Sequence, residues 1–430
     1  MILRLPKLEK RLQARYEQIV KEHLGPTQVT AAGLRSLPGQ GSAFASTQGT
    51  WRFLSNPQTS LPKLVEPLLE CGRQMLSTEC DQWGLVAHDW SKLRYTEHDR
   101  KQDQLKVGKG TGYCLETGLL LSDRNGEALS PLTLHLWSKE GCHSTLSEET
   151  IPTLSLLDAV TKTMGHLASQ QFPLRLCHLV DRAGDSAAHL RDWDASGHFF
   201  LVRGDEGHKL EWQGASLTTE RILPEVVLRA SYAIEWESAL TAQLFVGETQ
   251  VRLTRPSRKL NEQGREHYEK GKPLELRLVV CEVRLPDETV AARWCLLSNL
   301  PHSLKAEKLS LWYYWRWRIE SYFKLLKTHG WHLEQWQQQS SLAICKRLCV
   351  VAMACVVVWQ LQRANTPEAI QTQNLLLRLS GRQVRRGHYP APALLAGLWS
   401  LLSVLDALEH YSLDELKQVV RSITFATASG

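Results

Sequence analysis

At 430 residues and 48.8 kDa, with 43% apolar residues, the chain is long enough to bury a large core and to form more than one domain. Its formal charge of +6 and pI near 8.7 suit a polyanionic partner without requiring one. Ten cysteines lie scattered without a Cys-x-x-Cys pair, no signal-like segment opens the chain, and the longest apolar run, residues 348–361, falls short of a bilayer span of about 20 residues. These features speak against a disulfide framework and membrane insertion, and a cytoplasmic protein with reduced thiols and a buried helix at 348–361 is expected.

In chain order, residues 7–24 show helical periodicity with Lys and Arg along the polar side, closing at Gly25-Pro26. A stretch rich in Gly, Ser, Thr and Pro, 36–48, leads into Thr50-Trp51-Arg52-Phe53-Leu54-Ser55-Asn56-Pro57. Small polar residues beside a basic aromatic turn let backbone amides and Arg52 approach phosphates closely. A plain surface loop anchored by Trp51 and Phe53 is the alternative.

Residues 83–89, Trp-Gly-Leu-Val-Ala-His-Asp, form an apolar run closing on Asp89, as expected of a buried strand whose end reaches a site. Strands follow at 113–121 and 132–137, joined through the turn-rich 122–126, then a helix at 153–169. A further strand, 174–180, ends at Asp181-Arg182-Ala183-Gly184-Asp185. Each aspartate has rivals. Asp99 and Asp103 compete with Asp89 but lie in a polar stretch with no strand, and Asp181 or Asp185 could cap the following helix. His88 alternates to the face opposite Asp89 and reads as packing. Residues 198–203 form a strand ending in a base, Arg203, for which a surface ion pair is the plain reading. Alternation across 205–290, clearest at 242–253 and 274–284, predicts a β-rich insertion. A strand at 292–298 carries Trp294, and the rest is helical: 342–363, 368–379, 393–409 and 412–423. Arg378, Arg382, Arg385 and Arg386 gather beside Ser380-Gly381, as a backbone contact or a solvated cluster.

The densest chemistry lies at 313–327, read as one helix. At about 100° per residue, Tyr313, Arg316, Glu320 and Lys327 fall within roughly 60° of arc, beside an apolar stripe of Trp312, Trp315, Ile319, Phe323 and Leu326. A carboxylate that holds a metal, a guanidinium that grips two oxygens and an ammonium point charge together suit phosphate chemistry. The plain alternative is an amphipathic helix whose Glu–Lys pairs contribute a few tenths of a kcal/mol each.

The spacing Tyr-x2-Arg-x3-Glu-x6-Lys, met by Tyr313, Arg316, Glu320 and Lys327, resembles the signature of one large branch of bacterial insertion-sequence transposases. The Asp-Arg-x-x-Asp context of Asp181 and the Arg-Phe and Asn-Pro pairs near Arg52 resemble the same family. The resemblance implies an α/β fold: an RNase H-like mixed sheet flanked by helices, with a β-rich insertion subdomain and helical amino- and carboxy-terminal regions. In that fold the first and fourth strands are neighbours, so Asp89 and Asp181 would meet at one sheet edge. The domains implied are 1–75 for DNA-end recognition, 76–204 with 291–340 for catalysis, 205–290 as the insertion, and 341–430 as a helical region for dimerisation.

By the same resemblance Asp89, Asp181 and Glu320 are the catalytic, metal-binding residues, and Tyr313, Arg316, Lys327, Arg203, Trp294 and Arg52 contact DNA. Trp294 would stack on a flipped base, although a core tryptophan fits equally. Two Mg2+ ions, replaceable by Mn2+, would relieve the repulsion among three carboxylates and promote in-line displacement at phosphorus. The expected partners are double-stranded DNA, as transposon ends and target, and a second copy of the chain on paired ends, with no membrane. The function implied is cut-and-paste transposition. An RNase H-like nuclease lacking strand transfer and a non-catalytic DNA-binding regulator are the alternatives.

Overall fold

The protein is described from a computed structural model covering residues 3–25, 42–96, 98–236, 240–260, 266–385 and 387–426. Part of the loop expected at 36–48, and Arg386, therefore lie outside the described residues. The remainder of that stretch and the expected turn at 50–57 belong largely to a helix. It follows α1 (Lys10–Leu24) as α2 (Ser42–Ser55) and precedes α3 (Leu61–Glu79).

The chain then forms β1 (Trp83–Arg94), β2 (Leu105–Val107), β3 (Gly110–Ser122), β4 (Ala128–Ser138) and β5 (Gly141–Ser144), followed by α4 (Leu156–Ser169). β1 is buried on both faces from Trp83 to His88 and emerges at Asp89 and Trp90, as its apolar run predicts. β4 tolerates Pro131, which lacks an N–H, because the pairing with β3 shifts register there. Ser155 caps α4 by accepting from the Asp158 amide at 3.1 Å. Next come β6 (Arg175–Val180), α5 (Ala187–Ala195) and β7 (Phe199–Arg203).

The alternating segment forms β8 (Lys209–Trp212), β9 (Ala215–Thr218), a single turn α6 (Thr219–Ile222), β10 (Arg229–Trp236), β11 (Leu240–Leu253), β12 (Ser257–Leu260), β13 (Glu266–Glu269) and β14 (Leu274–Arg284). β15 (Val290–Ser298) returns to the centre. The helical part contains α7 (Ala306–Trp315), α8 (Arg318–Lys327), α9 (Ser341–Arg363), α10 (Pro367–Leu379), α11 (Ala391–Leu408) and α12 (Leu413–Ala426).

The fold is α/β, with one large mixed sheet flanked by helices. Its main strand order is β5-β4-β3-β1-β6-β7-β15-β14-β11-β8-β9, so β1 lies between β3, antiparallel, and β6, parallel. The inserted strands continue this same sheet through β14 and β11, apart from the β12–β13 hairpin. The sheet separates two apolar cores. One, against α1, α3, α7, α8 and α9, takes Leu85, Ala87, Leu179, Leu201 and Leu296. The other, with Val160 and Met164 of α4 and Leu190 of α5, takes Val180, Val202 and Leu297.

Among the described residues, two helices, α9 and α11, are long and apolar enough to cross a membrane by length and composition. α9 is buried inside the fold over 83% of its most apolar window, whereas α11 is buried over 28%. All ten cysteines are free thiols.

Candidate active site

β1, β6 and β7 run parallel side by side. β6 ends at Val180 and β7 at Arg203, but β1 continues past Asp89 to Arg94 on its pairing with β3, so Asp89 lies within its strand and not at the end expected for it. Continued two residues past Ala87↔Leu179, the β1–β6 register sets Asp89 beside Asp181. Continued one residue past Val180↔Val202, the β6–β7 register sets Asp181 beside Arg203. All three point toward the face that carries α7 and α8, because aligned residues of parallel neighbours share a face.

Residues 313–327 do not form one helix. α7 ends at Trp315 and α8 begins at Arg318, with Arg316 and Trp317 in a tight turn between them. Within this turn the backbone bonds shorten to three-residue spacing, as in Glu320 N donating to the Trp317 carbonyl at 3.0 Å. Bulky side chains at Tyr314, Trp315 and Trp317 each need a separate niche, and the turn supplies them. Trp317 stacks 4.9 Å from Trp236 at the end of β10, and the Tyr314 hydroxyl donates to the Glu235 carbonyl.

The turn delivers Arg316 into the site. Its guanidinium is buried, donates from Nη1 to Asp89 Oδ2 at 3.2 Å, and lies 5.6 Å from the centre of the Tyr313 ring. Its Nε–H is buried without an acceptor. Asp89 Oδ1 accepts its neighbour's amide, Trp90 N, at 2.8 Å. Asp181 Oδ1 accepts Ala183 N at 2.9 Å, so it caps a short 3-10 turn while standing at the strand end. Burial pushes the Asp181 carboxyl above its ordinary pKa, and Asp89 adds to the rise against the Ala183 amide and Arg316. Burial likewise raises the pKa of the Tyr313 phenol, opposed by Arg316 and Arg203.

Glu320 is exposed on α8 and shares with Asp89 a cleft of about 390 Å3, together with Phe323, Lys324, Lys327 and Thr328. Its carboxylate has no hydrogen-bond or ion-pair partner among the described residues. The three carboxylates do not converge tightly. Among the described residues, the one group of three candidate ligands with donor atoms all within 4.8 Å is Asp406, Glu409 and His410 near the end of α11. As hard oxygen donors, Asp89, Asp181 and Glu320 nevertheless fit Mg2+ in kind.

Lys327 is committed as well as poised. Its ammonium donates to the Lys92 carbonyl at 2.8 Å and pairs with Glu334 at 3.2 Å, tying α8 to β1. Arg203 donates to the Arg293 carbonyl at 3.4 Å. Trp294 is buried among Trp236, Tyr313 and Trp317, with ring centroids 5.7 to 6.2 Å away. In this conformation it is a core residue directly beneath the site. Arg52 stands apart, on the last turn of α2, and lines a groove with Arg11 and Arg15 of α1. Gly49 permits that groove, since a Cβ there would meet the Arg15 guanidinium at 2.6 Å.

The rival aspartates have other surroundings. Asp185 pairs with Arg255 and accepts from Asp205 N at 2.7 Å and His208 Nδ1 at 2.8 Å, which makes it a clasp on the insertion. Asp99 is exposed off the strands. His88 does face the opposite side, within a fully buried chain. Its Nδ1 lies 3.0 Å from Glu116 Oε1 and its Nε2 2.9 Å from His178 Nδ1, while His135 stands 3.6 Å from Glu116 Oε2. Lys324 escaped the sequence reading, although its position four residues after Glu320 places it on the same helical side.

No protein-family profile matches the chain, and no curated protein sequence is similar to it.

Proposed function

We propose that the chain is an Asp-Asp-Glu transposase with an RNase H-like core, which cuts DNA at insertion-sequence ends and joins the 3' ends to a target. The observation that carries this reading is the strand register that sets Asp89 beside Asp181, with Glu320 across the same cleft as Asp89 and Arg316 between the elements. Two chain-distant aspartates on adjacent parallel strands, Asp89 within β1 and Asp181 just past the end of β6, faced by a glutamate on a helix, suit hydroxyl attack on a phosphodiester.

Asp89, Asp181 and Glu320 are the residues that would hold Mg2+, and the ion would there supply Lewis-acid activation of a hydroxyl and charge neutralisation at phosphorus. Arg316, with an unpaired Nε–H, offers a donor to a phosphate oxygen. Lys324 and Lys327 line the cleft beside Asp89 and Glu320 and would meet phosphates of the DNA backbone there. The groove of Arg11, Arg15 and Arg52 offers a separate phosphate contact suited to holding an element end.

The test is Mg2+- or Mn2+-dependent cleavage of DNA carrying the flanks of the encoding gene, comparing the native chain with Glu320→Gln. Site-specific cuts lost in the variant, with end binding retained, are expected, and joined product distinguishes a transposase from a nuclease. Ends bound but uncut by both proteins would favour a DNA-binding regulator instead.

A further inference from the structure

Arg378 stands exposed on the last turn of α10, and Arg382 and Arg385 are exposed on the link from α10 to α11. The link bends at Gly381, φ +63, and at Gly387, φ +79, and Ser380 Oγ accepts Arg382 N at 3.2 Å. The Tyr389 hydroxyl donates to Asn374 Oδ1 at 3.2 Å, which holds the returning limb against α10. None of the three guanidinium groups has a hydrogen-bond or ion-pair partner among the described residues. Elsewhere Arg124, Arg252, Arg277 and Arg293 pair with carboxylates, and Arg191 donates to backbone carbonyls. Where the link ends, Pro390 borders one cavity with Arg318, Ser321 and Lys324 of α8. The chain just after α8 fits against α11 because Gly330 has no side chain: a Cβ there would come within 3.1 Å of Leu395. Arg318, Ser321 and Lys324 are exposed and span about 120° of the helix, with Glu320 about 40° beyond Lys324. The side chains of Arg318 and Lys324 are also without a hydrogen-bond or ion-pair partner among the described residues, and Lys324 lines the Asp89–Glu320 cleft as well.

We propose that the exposed side of α8 and the α10–α11 link form one surface for the backbone of duplex DNA, held without regard to sequence beside the Asp89–Glu320 cleft. The proposal rests on the reading of that cleft as a DNA-processing site. Arg385 precedes Pro390 by five residues, so the chain separates it from the α8 cations by about 17 Å at most, plus the reach of the side chains. Duplex DNA carries one charge per about 1.7 Å of its axis, so a segment of that length presents enough phosphates to meet both sets of cations. A guanidinium takes two phosphate oxygens at once, and such contacts fix position without reading bases. The cations stand on open surface on two separate elements, which suits the side of a duplex. Lys324, reaching both the cavity rim and the cleft, leads that duplex to the carboxylates.

The experiment measures anisotropy of a short fluorescein-labelled duplex, unrelated in sequence to the flanks of the encoding gene, with the full chain across a salt series. The proteins compared are the native chain, Arg378→Ala/Arg382→Ala/Arg385→Ala, the same three positions changed to Lys, and Arg318→Ala, each first shown to melt cooperatively. The alanine triple is expected to bind roughly tenfold more weakly, with a salt slope smaller by about 0.9 for each cation lost. Arg318→Ala should lower the slope by about 0.9 on its own. The lysine triple should keep the native slope, since an ammonium still meets a phosphate as a point charge. An unchanged slope in the alanine triple or in Arg318→Ala, a lysine triple as weak as the alanine one, or no binding of the duplex by the native chain would overturn the proposal. A loss of binding to phosphatidylserine-rich vesicles with duplex binding unchanged would assign the surface to a membrane instead and overturn it too. If the native chain cuts no DNA yet the alanine triple loses the duplex, the surface stands and the transposase reading falls. If cutting is intact and the alanine triple binds like the native chain, the surface alone falls.

Discussion

Arg316 governs the electrostatics of the site, because it is the buried cation between Asp89 and Asp181. Burial opposes its charge, but Tyr313, Asp89 and Asp181 hold its pKa above the ordinary value. Arg316→Leu leaves Asp89 beside Asp181 uncompensated and is expected to cost about 3 kcal/mol. Urea denaturation should show millimolar Mg2+ restoring part of that loss, and a midpoint indifferent to Mg2+ would count against a cation site at these carboxylates. Asp181→Asn should have the opposite effect on stability. The folded-state pKa of Asp181 is raised, so its ionised form costs stability at neutral pH, and that cost is relieved as pH falls through the raised value. Asparagine keeps an acceptor for Ala183 N and removes the charge. The variant should therefore melt above the native chain at pH 7, and the difference should vanish near pH 3.8, the ordinary value. A constant difference at all pH values would exclude the electrostatic cause.

The helical periodicity of 313–327 was legible, but the turn at Arg316 and Trp317 was not. A hydrophobic stripe of period 3.6 looks the same whether or not a two-residue turn interrupts it, and the turn depends on niches supplied by distant elements. One such niche is the loop between β3 and β4. Gly126 adopts φ +70, and a Cβ there would meet the Trp315 ring at 2.2 to 2.5 Å. Gly126→Ala combines left-handed strain with overpacking and should lose about 1 to 3 kcal/mol. Thermal melts would measure it, and an unchanged midpoint would show that Trp315 can vacate the niche freely. On the reverse face, Glu116 sits fully buried between His88 and His135. Glu116→Ala strands these imidazoles and should cost about 3 kcal/mol, read by the same melts. The inner half of β1 and the whole of β6 were legible as apolar runs leading to Asp89 and Asp181, but the continuation of β1 from Asp89 to Arg94 was not, because its polar residues alternate and its partner β3 is distant in the chain. The Asp185 clasp was not, because Arg255 and His208 belong to the insertion.

At the scale of the molecule, buried cations join distant segments on α9 and in the chain just before it. Lys346 donates to the Asn56 carbonyl at 2.9 Å. Arg347 donates to Gln338 Oε1 at 2.8 Å and to His23 Nε2 at 3.2 Å, and His23 Nδ1 donates to the Ile19 carbonyl. Lys101 donates to the Trp336 and Gln338 carbonyls above the Tyr95 ring. Burial, reinforced by Arg347, pushes the Lys101 ammonium down to about 7. Below that value the buried charge costs stability in full, and the cost falls as pH rises toward the ordinary 10.5. Stability should therefore rise from pH 7 to 8.5 in the native chain relative to Lys101→Met. Parallel pH profiles in chemical denaturation would show that Lys101 does not titrate in this range.

Local chemistry was determined by the sequence alone. Most strand and helix positions, the buried character of α9, the apolar runs that lead to Asp89 and Asp181 and the Tyr-Arg-Glu-Lys spacing follow from hydrophobic period and residue type, which act within a few residues. Tertiary structure decided which groups meet. It set Asp89 beside Asp181 through the β1–β6 register, bent the chain to drive Arg316 into their field, buried Trp294 among aromatic rings, and joined the inserted strands to the central sheet. These outcomes depend on pairings between residues tens to hundreds of positions apart. Local propensity carries no information about such pairings, and only the packing of the whole sheet selects among them.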